Sequence, residues 1–252
     1  MNEKLLELKN ITKIYGRQKA LDDVSFSIKK GRIYGFVGEN GAGKTTALRI
    51  ITGLSKPSSG SIELFGSSDK KSLAQNRKKL GCMIEGPVFD GNLDAKENLR
   101  LYAMLYGKKD FSNDIDICIS NTLERTGLGN TGKKKVRDFS LGMRQRLGIA
   151  ASIVSSPEFL ILDEPVNGLD PLGMIAVREL LVSLQKDDGM TILLSSHILA
   201  ELQEIASDYI FISEGKILNT VSAAEVLSGY DSLEQYYLSL FQNKFLKGAH
   251  NA

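Results

Sequence analysis

The chain has 252 residues, of which 42% are hydrophobic and 25% charged, and its formal net charge is +2 at pH 7. This length suits one large domain, or one domain with an inserted subdomain, and leaves ample material for a core. The small net charge gives no reason to expect a nucleic-acid partner. No run approaches the ~18 apolar residues of a membrane span, and the acidic N-terminal segment is unlike a signal peptide. We therefore expect any action at a membrane to require a partner.

Strands and helices alternate along most of the chain. Short strands are predicted between Leu5 and Gly31, with turns at Gly16-Arg17 and at Lys30-Gly31. Further strands are predicted at 33–37, 61–66, 81–85, 159–162, 191–194 and 209–212. A helical stretch runs from Asp94 to about Val154 and begins with a capping arrangement of Asp94 and Glu97. Near-continuous apolar strands predict the α/β class, with a mostly parallel sheet covered on both faces and interrupted by a helical insert.

A glycine-rich turn follows the strand at 33–37 and precedes a helix at 47–51. Its residues fit G-x-x-x-x-G-K-[ST], in which curled backbone N–H groups and a helix N-terminus surround one anion. We predict that Lys44 reaches the β- and γ-phosphates of a nucleotide and that Thr45 ligates Mg²⁺. The predicted ATP contacts of this phosphate loop (residues 38–46) are Gly38, Asn40, Gly41, Gly43, Lys44, Thr45 and Thr46.

Two acids end the apolar strand at 159–162. Ligands of open α/β sheets bind at the carboxyl edge of the strands, which is where Asp163 and Glu164 stand. We predict that Asp163 holds Mg²⁺, directly or through water, and that Glu164 orients and polarises an attacking water. A strand that ends in a solvated acidic turn is the plainer alternative, and the phosphate loop argues against it.

Three more stretches decide the kind of nucleotide-binding protein. They are residues 139–147 (FSLGMRQRL) before the acidic strand, 166–171 (VNGLDP) after it, and 195–197 (SSH) after the next strand. Together with the two motifs above, they resemble the ATPase subunit of ATP-binding cassette (ABC) transporters. The resemblance covers the chain from about Leu5 to Leu218.

The resemblance implies a nucleoside-triphosphatase fold of the ABC type. Its core would be a mostly parallel sheet, joined by an N-terminal antiparallel β part and an inserted α-helical subdomain. We expect one ABC ATPase domain at 1–220, the helical subdomain at about 90–155, and a short C-terminal helical extension at 221–252.

The resemblance also implies that two protomers act together. Ser140 and Gly142 match the serine and second glycine of the family signature L-S-G-G-Q, whereas Leu141 and Met143 depart from it. A helix N-terminus with a serine hydroxyl can grip the γ-phosphate held by a second protomer. We expect a head-to-tail pair, as a homodimer, with two ATPs between the subunits. The loop that crosses this interface would be formed by Asn167, Gly168 and Asp170.

Two further roles depend on the family match. His197 resembles the switch histidine that contacts the γ-phosphate and keeps Glu164 and the water in line. Tyr15 lies where the family stacks an aromatic ring on adenine, the alternative being ordinary strand packing.

Glu85 is the informative departure from the family, which usually has glutamine at the end of this strand. A glutamate can ligate Mg²⁺ and adds charge near the attacking water, so Glu85 is predicted to be both metal ligand and catalytic residue. Glu85 and the sequence SLGMRQRL resemble the subgroup that protects bacteria against bacitracin and lantibiotic peptides. The alternative is a neutral variant in an unrelated exporter.

The resemblance implies ATP and Mg²⁺ as cofactors and a separate integral-membrane permease as partner. We expect no nucleic-acid partner, and a cytoplasmic protein that is peripheral on the inner face of the cell membrane. The basic run 133–137 is interpreted as a solvated loop, with a role beside anionic headgroups as the alternative. Alternatives for the whole chain are a general ABC exporter, a cytosolic non-transport ABC ATPase, and a regulatory nucleotide-binding module. The cargo cannot be read from this subunit.

Overall fold

The computed structural model describes residues 3–86, 88–105 and 113–248, without the side chains of 113–114 and 242–248. The strands are β1 (Lys4–Tyr15), β2 (Gln18–Lys29), β3 (Ile33–Val37), β4 (Ser59–Leu64), β5 (Leu80–Met83), β6 (Phe159–Asp163), β7 (Thr191–Ser196), β8 (Asp208–Ser213) and β9 (Lys216–Ser222). The helices are α1 (Lys44–Thr52), α2 (Lys70–Asn76), α3 (Ala95–Leu105), α4 (Asn113–Arg125), α5 (Leu141–Ile153), α6 (Pro171–Asp188), α7 (Leu199–Ile205), α8 (Ala223–Gly229) and α9 (Leu233–Gly248).

A six-stranded sheet forms the centre of the molecule, in the order β5-β6-β7-β3-β8-β9. Its strands are parallel except at the β9 edge, where β8 and β9 pair antiparallel. Every residue of β3 and β7 is buried, as expected for parallel strands that are covered on both faces. The predicted α/β class with a mostly parallel sheet is confirmed.

A three-stranded antiparallel sheet, in the order β2-β1-β4, packs beside it. The prediction of several short strands before Gly31 was wrong, because β1 and β2 each run for 12 residues. Their pairing contains register shifts, and Asn10 and Asp23 have φ angles of 52° and 58°. Such bulges interrupt the alternation of buried and exposed residues, so one long strand looks like two short ones in the sequence.

Hydrophobic residues gather in three clusters. One joins the antiparallel sheet to α1 and one face of the parallel sheet, through residues such as Phe36 and Leu48. The second lies on the opposite face, where α6, α7 and α9 pack. The third belongs to α3, α4 and α5, with Leu99, Ile119 and Leu147 at its centre. The helical region thus has its own core, which fits the proposed insert at about 90–155.

The C-terminal part differs from the predicted boundaries. The division proposed at residue 220 falls inside β9, which the sequence did not suggest because this edge strand is only partly buried and lacks a continuous apolar run. The extension includes α8, with the predicted capping box of Ser222 and Glu225, and α9. The predicted short helix was underestimated, since α9 has 16 residues. Residues 249–252 of the extension lie outside the described residues.

The helical stretch begins as predicted. Asp94 Oδ1 accepts the backbone N–H of Glu97 at 2.9 Å, and Glu97 Oε2 accepts the N–H of Asp94 at 2.8 Å. Burial opposes ionisation of Asp94, but the Glu97 N–H and the Lys133 ammonium outweigh it and lower the pKa of Asp94. No helix in the described part of the chain is both long and apolar enough to cross a membrane.

Replacing Asp94 tests this cap. Asp94→Ala is expected to lower the free energy of unfolding by about 0.5–2 kcal/mol, because the Glu97 N–H loses its carboxylate acceptor. Asp94→Asn keeps an acceptor and should lose less. The lowered pKa means that the charged form stabilises the fold above the unfolded-state pKa of about 3.9, and that this contribution is lost as the pH falls through the folded-state pKa. Urea unfolding at pH 7 and pH 3 should therefore show a smaller pH effect in Asp94→Asn than in the wild type.

Candidate nucleotide-binding and catalytic site

The phosphate loop connects β3 to α1 in a tight backbone curl. Gly43, at the N-terminus of α1, has a φ of 108°, which strains any residue with a side chain. A Cβ on Gly38 would lie 2.4 Å from the backbone oxygen of Ile212 on β8. These two glycines are therefore required by the close approach of the loop to its neighbours.

Lys44 extends back across this loop. Its side chain is only 5% exposed, and Nζ donates to the backbone oxygens of Gly38 at 2.6 Å and Glu39 at 3.2 Å. Glu164 Oε1 lies 3.5 Å from the same nitrogen. A buried ammonium placed in this way can neutralise an anion that enters the loop.

Asp163, at the end of β6, is held through both carboxylate oxygens. Thr45 Oγ1 donates to Asp163 Oδ2 at 2.8 Å, so two of the three predicted Mg²⁺ ligands are in direct contact. Ser195 Oγ on β7 donates to Asp163 Oδ1 at 2.6 Å and accepts the backbone N–H of Glu164 at 2.9 Å. Ser195 received no role in the sequence analysis, although a serine within an apolar buried strand was a signal for one.

Glu164 and His197 form a pair at the same edge. His197 Nδ1 and Glu164 Oε2 are 2.6 Å apart, and the side chains are 39% and 20% exposed. Glu164 has a φ of 48°, in the left-handed region that only a few non-glycine residues occupy. This backbone turn at the strand end places the Glu164 carboxylate between His197 and Lys44.

A cleft of about 470 Å³ lies over the phosphate loop and Glu164, and neither Asp163 nor His197 is among its lining residues. Its lining combines the loop with residues from β1, β2 and the β8–β9 turn, namely Tyr15, Gln18, Lys19, Ala20, Glu39, Asn40, Gly41, Gly43, Lys44, Thr45, Thr46, Glu164, Glu214 and Gly215. Its volume and its backbone donors suit a nucleoside triphosphate.

The residues present also fit Mg²⁺. The described residues contain no cluster of three or more His, Cys, Asp or Glu side chains that could hold a metal on their own. Mg²⁺ does not need such a cluster, because it is usually bound by one or two carboxylates together with substrate phosphates and water. The adjacent oxygens of Thr45 and Asp163 supply hard ligands of this kind at the edge of the cleft.

Tyr15 stands at the outer end of the cleft, on the last residue of β1. Its side chain is 45% exposed, and the Lys13 ammonium lies 4.7 Å from the ring centroid. Its hydroxyl is 3.5 Å from Ser55 Oγ. The accessible ring is compatible with stacking on a base, and it is not packed into the core as the alternative would have it.

Glu85 is not brought into the cluster around Asp163. Its carboxylate pairs with the Arg49 guanidinium on α1, and the Glu85 side chain is 57% exposed. Glu85 and Gly86 both have positive φ angles, 63° and 88°. The predicted role of Glu85 as a Mg²⁺ ligand therefore requires a movement of this side chain away from Arg49.

The signature segment lies outside the cleft. Ser140 caps α5, and its Oγ accepts the N–H of Met143 at 3.2 Å. Leu141 is 54% exposed, and its Cδ2 would lie 3.0 Å from a Cβ on Gly168. The Cδ2 atom of Leu169 would lie 3.7 Å from a Cβ on Gly142. The signature and the predicted dimer loop are thus neighbours within one chain.

The same loop ends in another helix cap. Asp170 caps α6 by accepting the N–H of Gly173 at 2.9 Å. Asn167, the remaining predicted interface residue, donates its backbone N–H to the Glu164 carbonyl oxygen at 3.2 Å. The predicted interface loop is thereby continuous with the end of β6.

The basic run 133–137 is largely exposed, as a solvated loop would be, and it also makes contacts within the chain. Lys133 and Lys135 pair with Asp94 and Glu97, each at 3.3 Å, while the Lys134 ammonium lies 5.8 Å from the ring of Phe139. These contacts attach the segment before the signature to the beginning of α3. Most of this charge is therefore engaged within the chain.

The chain is similar in sequence to known ATP-binding proteins of transporters. A family model described as "ABC transporter" matches residues 21–167. The bacitracin transport ATP-binding protein BcrA of Bacillus licheniformis is 45% identical over 219 residues, which are 86% of this chain and 69% of that protein. The lantibiotic transport ATP-binding protein SrtF of Streptococcus pyogenes is 41% identical over 242 residues, which are 96% of this chain and 98% of that protein.

Solved structures agree with the fold. The ATP-binding subunit of an ABC transporter superposes with a TM-score of 0.81 at 31% identity, covering 94% of this chain and 99% of that one. A dimeric ATP-binding cassette with bound ADP and phosphate gives a TM-score of 0.79 at 25% identity, covering 87% and 99%. The chain therefore belongs to the ABC transporter family, as an ATP-hydrolysing cassette with the α/β fold of that family.

Proposed function

We propose that this cassette powers a separate membrane permease that exports antimicrobial peptides of the bacitracin or lantibiotic type. The similarity to BcrA and SrtF is the observation on which this cargo class depends. The residues to which we assign hydrolysis run from Lys44 in the phosphate loop to His197 after β7. In this proposal the protein is cytoplasmic and reaches the membrane only through its permease.

The proposed hydrolysis depends on positioning and charge. Lys44 and the loop N–H groups would neutralise the γ-phosphate, while Tyr15 would stack on adenine. Glu164 Oε2 would accept a hydrogen bond from the attacking water, and His197, 2.6 Å from that carboxylate oxygen, would fix its orientation. Thr45 and Asp163 are the residues that would hold Mg²⁺, whose chemistry there would be to supply positive charge to the transferred phosphoryl group.

We further propose that the working unit is a head-to-tail homodimer. The Ser140 hydroxyl and the N-terminus of α5 are outside this chain's own cleft, so they are available to a phosphate held by a second copy. Leu141 packs toward Gly168, and Asn167 is bonded to the carbonyl oxygen of Glu164. This continuity would connect the signature of one protomer to its own hydrolytic edge.

Three alternatives use the same cassette differently. It could serve an exporter of other cargo, act on a cytosolic target without transport, or bind nucleotide as a regulatory module without useful turnover. The intact arrangement of Asp163, Glu164 and His197 argues against the last.

Glu164→Gln should separate binding from hydrolysis. The amide keeps the shape of the side chain but is a far weaker base, so we expect turnover to fall by about 10²–10³. Affinity for a fluorescent ATP analogue should stay within about threefold of the wild type. Glu179→Gln makes the same chemical change on the exposed face of α6 and should have no effect. Near-normal phosphate release by the Glu164 variant would contradict the assignment of Glu164.

Lys44→Ala should instead weaken nucleotide binding itself. Its ammonium is the buried cation aimed into the loop, so we expect the affinity for ATP to fall by at least about tenfold. Because the substitution also leaves Glu164 without this partner, circular dichroism must first show a folded protein. Binding is then measured by titration with the fluorescent analogue. An unchanged affinity in a folded variant would contradict the phosphate-loop assignment.

Drug susceptibility of the native host tests the cargo. Strains carrying the wild type or Glu164→Gln would be exposed to bacitracin, several lantibiotics and unrelated antibiotics. We expect the variant to be selectively sensitised to one peptide class, because export requires turnover. An unchanged profile would eliminate peptide resistance and favour another cargo, without affecting the assignment of the cassette as an ATPase.

A further inference from the structure

Ser195 is a buried polar residue near the end of β7, which also contains the buried residues Thr191 and Ser196. It lies on β7, where all six residues are buried, and its own side chain is 0% exposed. The parallel register of β6 and β7 places Ser195 beside Asp163. A buried hydroxyl is unfavourable unless it is hydrogen-bonded, so its partners indicate why it is tolerated here.

The Ser195 hydroxyl both donates and accepts a hydrogen bond at the strand end that carries Asp163 and Glu164. Ser195 Oγ donates to Asp163 Oδ1 at 2.6 Å and accepts the Glu164 backbone N–H at 2.9 Å. One atom therefore contacts the predicted metal ligand and the backbone of the predicted water-orienting residue. No other side chain in the described residues is hydrogen-bonded to both residues.

The consequences differ for the two acids. Since Thr45 occupies Asp163 Oδ2, the Ser195 bond fixes the plane of the carboxylate from its other side. For Glu164, the bond holds the backbone N–H. This residue has a φ of 48°, a backbone conformation that is strained for any residue other than glycine. That backbone turn directs the carboxylate toward Lys44 and His197.

We propose that Ser195 is a positioning residue for ATP hydrolysis, which fixes the Asp163 carboxylate and the Glu164 backbone together through its single hydroxyl. Ser195 is buried and is not among the residues that line the cleft. The inference depends on the hydrolytic assignment of Asp163 and Glu164, and is independent of the exported cargo.

The test is the pair Ser195→Thr and Ser195→Val, measured on the full chain. Threonine and valine have nearly the same shape, so any steric effect of the extra methyl group in the packed strand is common to both. Only threonine keeps a hydroxyl. We expect Ser195→Thr to retain kcat within about threefold, and Ser195→Val to fall at least about tenfold below Ser195→Thr.

A binding measurement provides a readout apart from turnover. The affinity for a fluorescent ATP analogue is measured in EDTA and in Mg²⁺ for both variants. In EDTA the variants should bind alike, because the phosphate loop and Tyr15 are untouched. The gain in affinity on adding Mg²⁺ should be smaller in Ser195→Val, because Asp163 is less well oriented. A general loss of structure would weaken binding in EDTA as well.

Two results would overturn the proposal. Equal kcat and equal Mg²⁺ gain in the two variants would show that the hydroxyl is not needed. Equal large losses in both would show that strand packing, rather than hydrogen bonding, limits the site. Where Ser195→Val does not fold, Ser195→Ala against the wild type replaces it, with the same expected loss of kcat and of Mg²⁺ gain. Loss of peptide resistance plays no part, so failure of the cargo proposal is distinguishable.

Discussion

The buried ammonium of Lys44 is the constraint on which the rest of the site depends. A charge that is 5% exposed needs partners, and here they are two loop carbonyl oxygens and, at 3.5 Å, the Glu164 carboxylate. Those carbonyl oxygens can face inward only because the loop curls, and the curl requires glycine at Gly38 and Gly43. Phosphate oxygens can take over the role of these partners, so the arrangement that satisfies the lysine also prepares the loop to bind an anion.

Parallel strand order brings the remaining groups to this lysine. The neighbours β6, β7 and β3 end at the same edge, so Asp163, Ser195 and the phosphate loop meet although they are far apart in the chain. The register pairs Asp163 with Ser195 and Val37 with Ser196, which leaves His197 just beyond the edge. The strand order and register thus determine which residues meet at this edge of the sheet.

Local features could be predicted from the sequence, and features that depend on tertiary contacts could not. The phosphate loop, the acidic end of β6 and the caps at Asp94 and Ser222 are recognisable because their chemistry lies within a few consecutive residues. The full length of β1 was hidden by bulges that depend on its two partner strands. Ser195 was missed because its meaning comes from β6, about 30 residues earlier in the sequence. The Arg49–Glu85 pair likewise joins two segments that no local pattern connects.

That pair explains how Glu85 can differ from the usual glutamine without disturbing the fold. A glutamate placed near Asp163 and Glu164 would add a third carboxylate to the edge, and like charges at close range oppose one another. The bond to Arg49 gives the Glu85 carboxylate a positive partner outside the cluster around Asp163. Because the pair is largely exposed, solvent and salt weaken it, so little energy opposes a movement of Glu85. The Arg49 pair thus supplies the positive partner that a glutamate needs at this position and that an uncharged glutamine would not need.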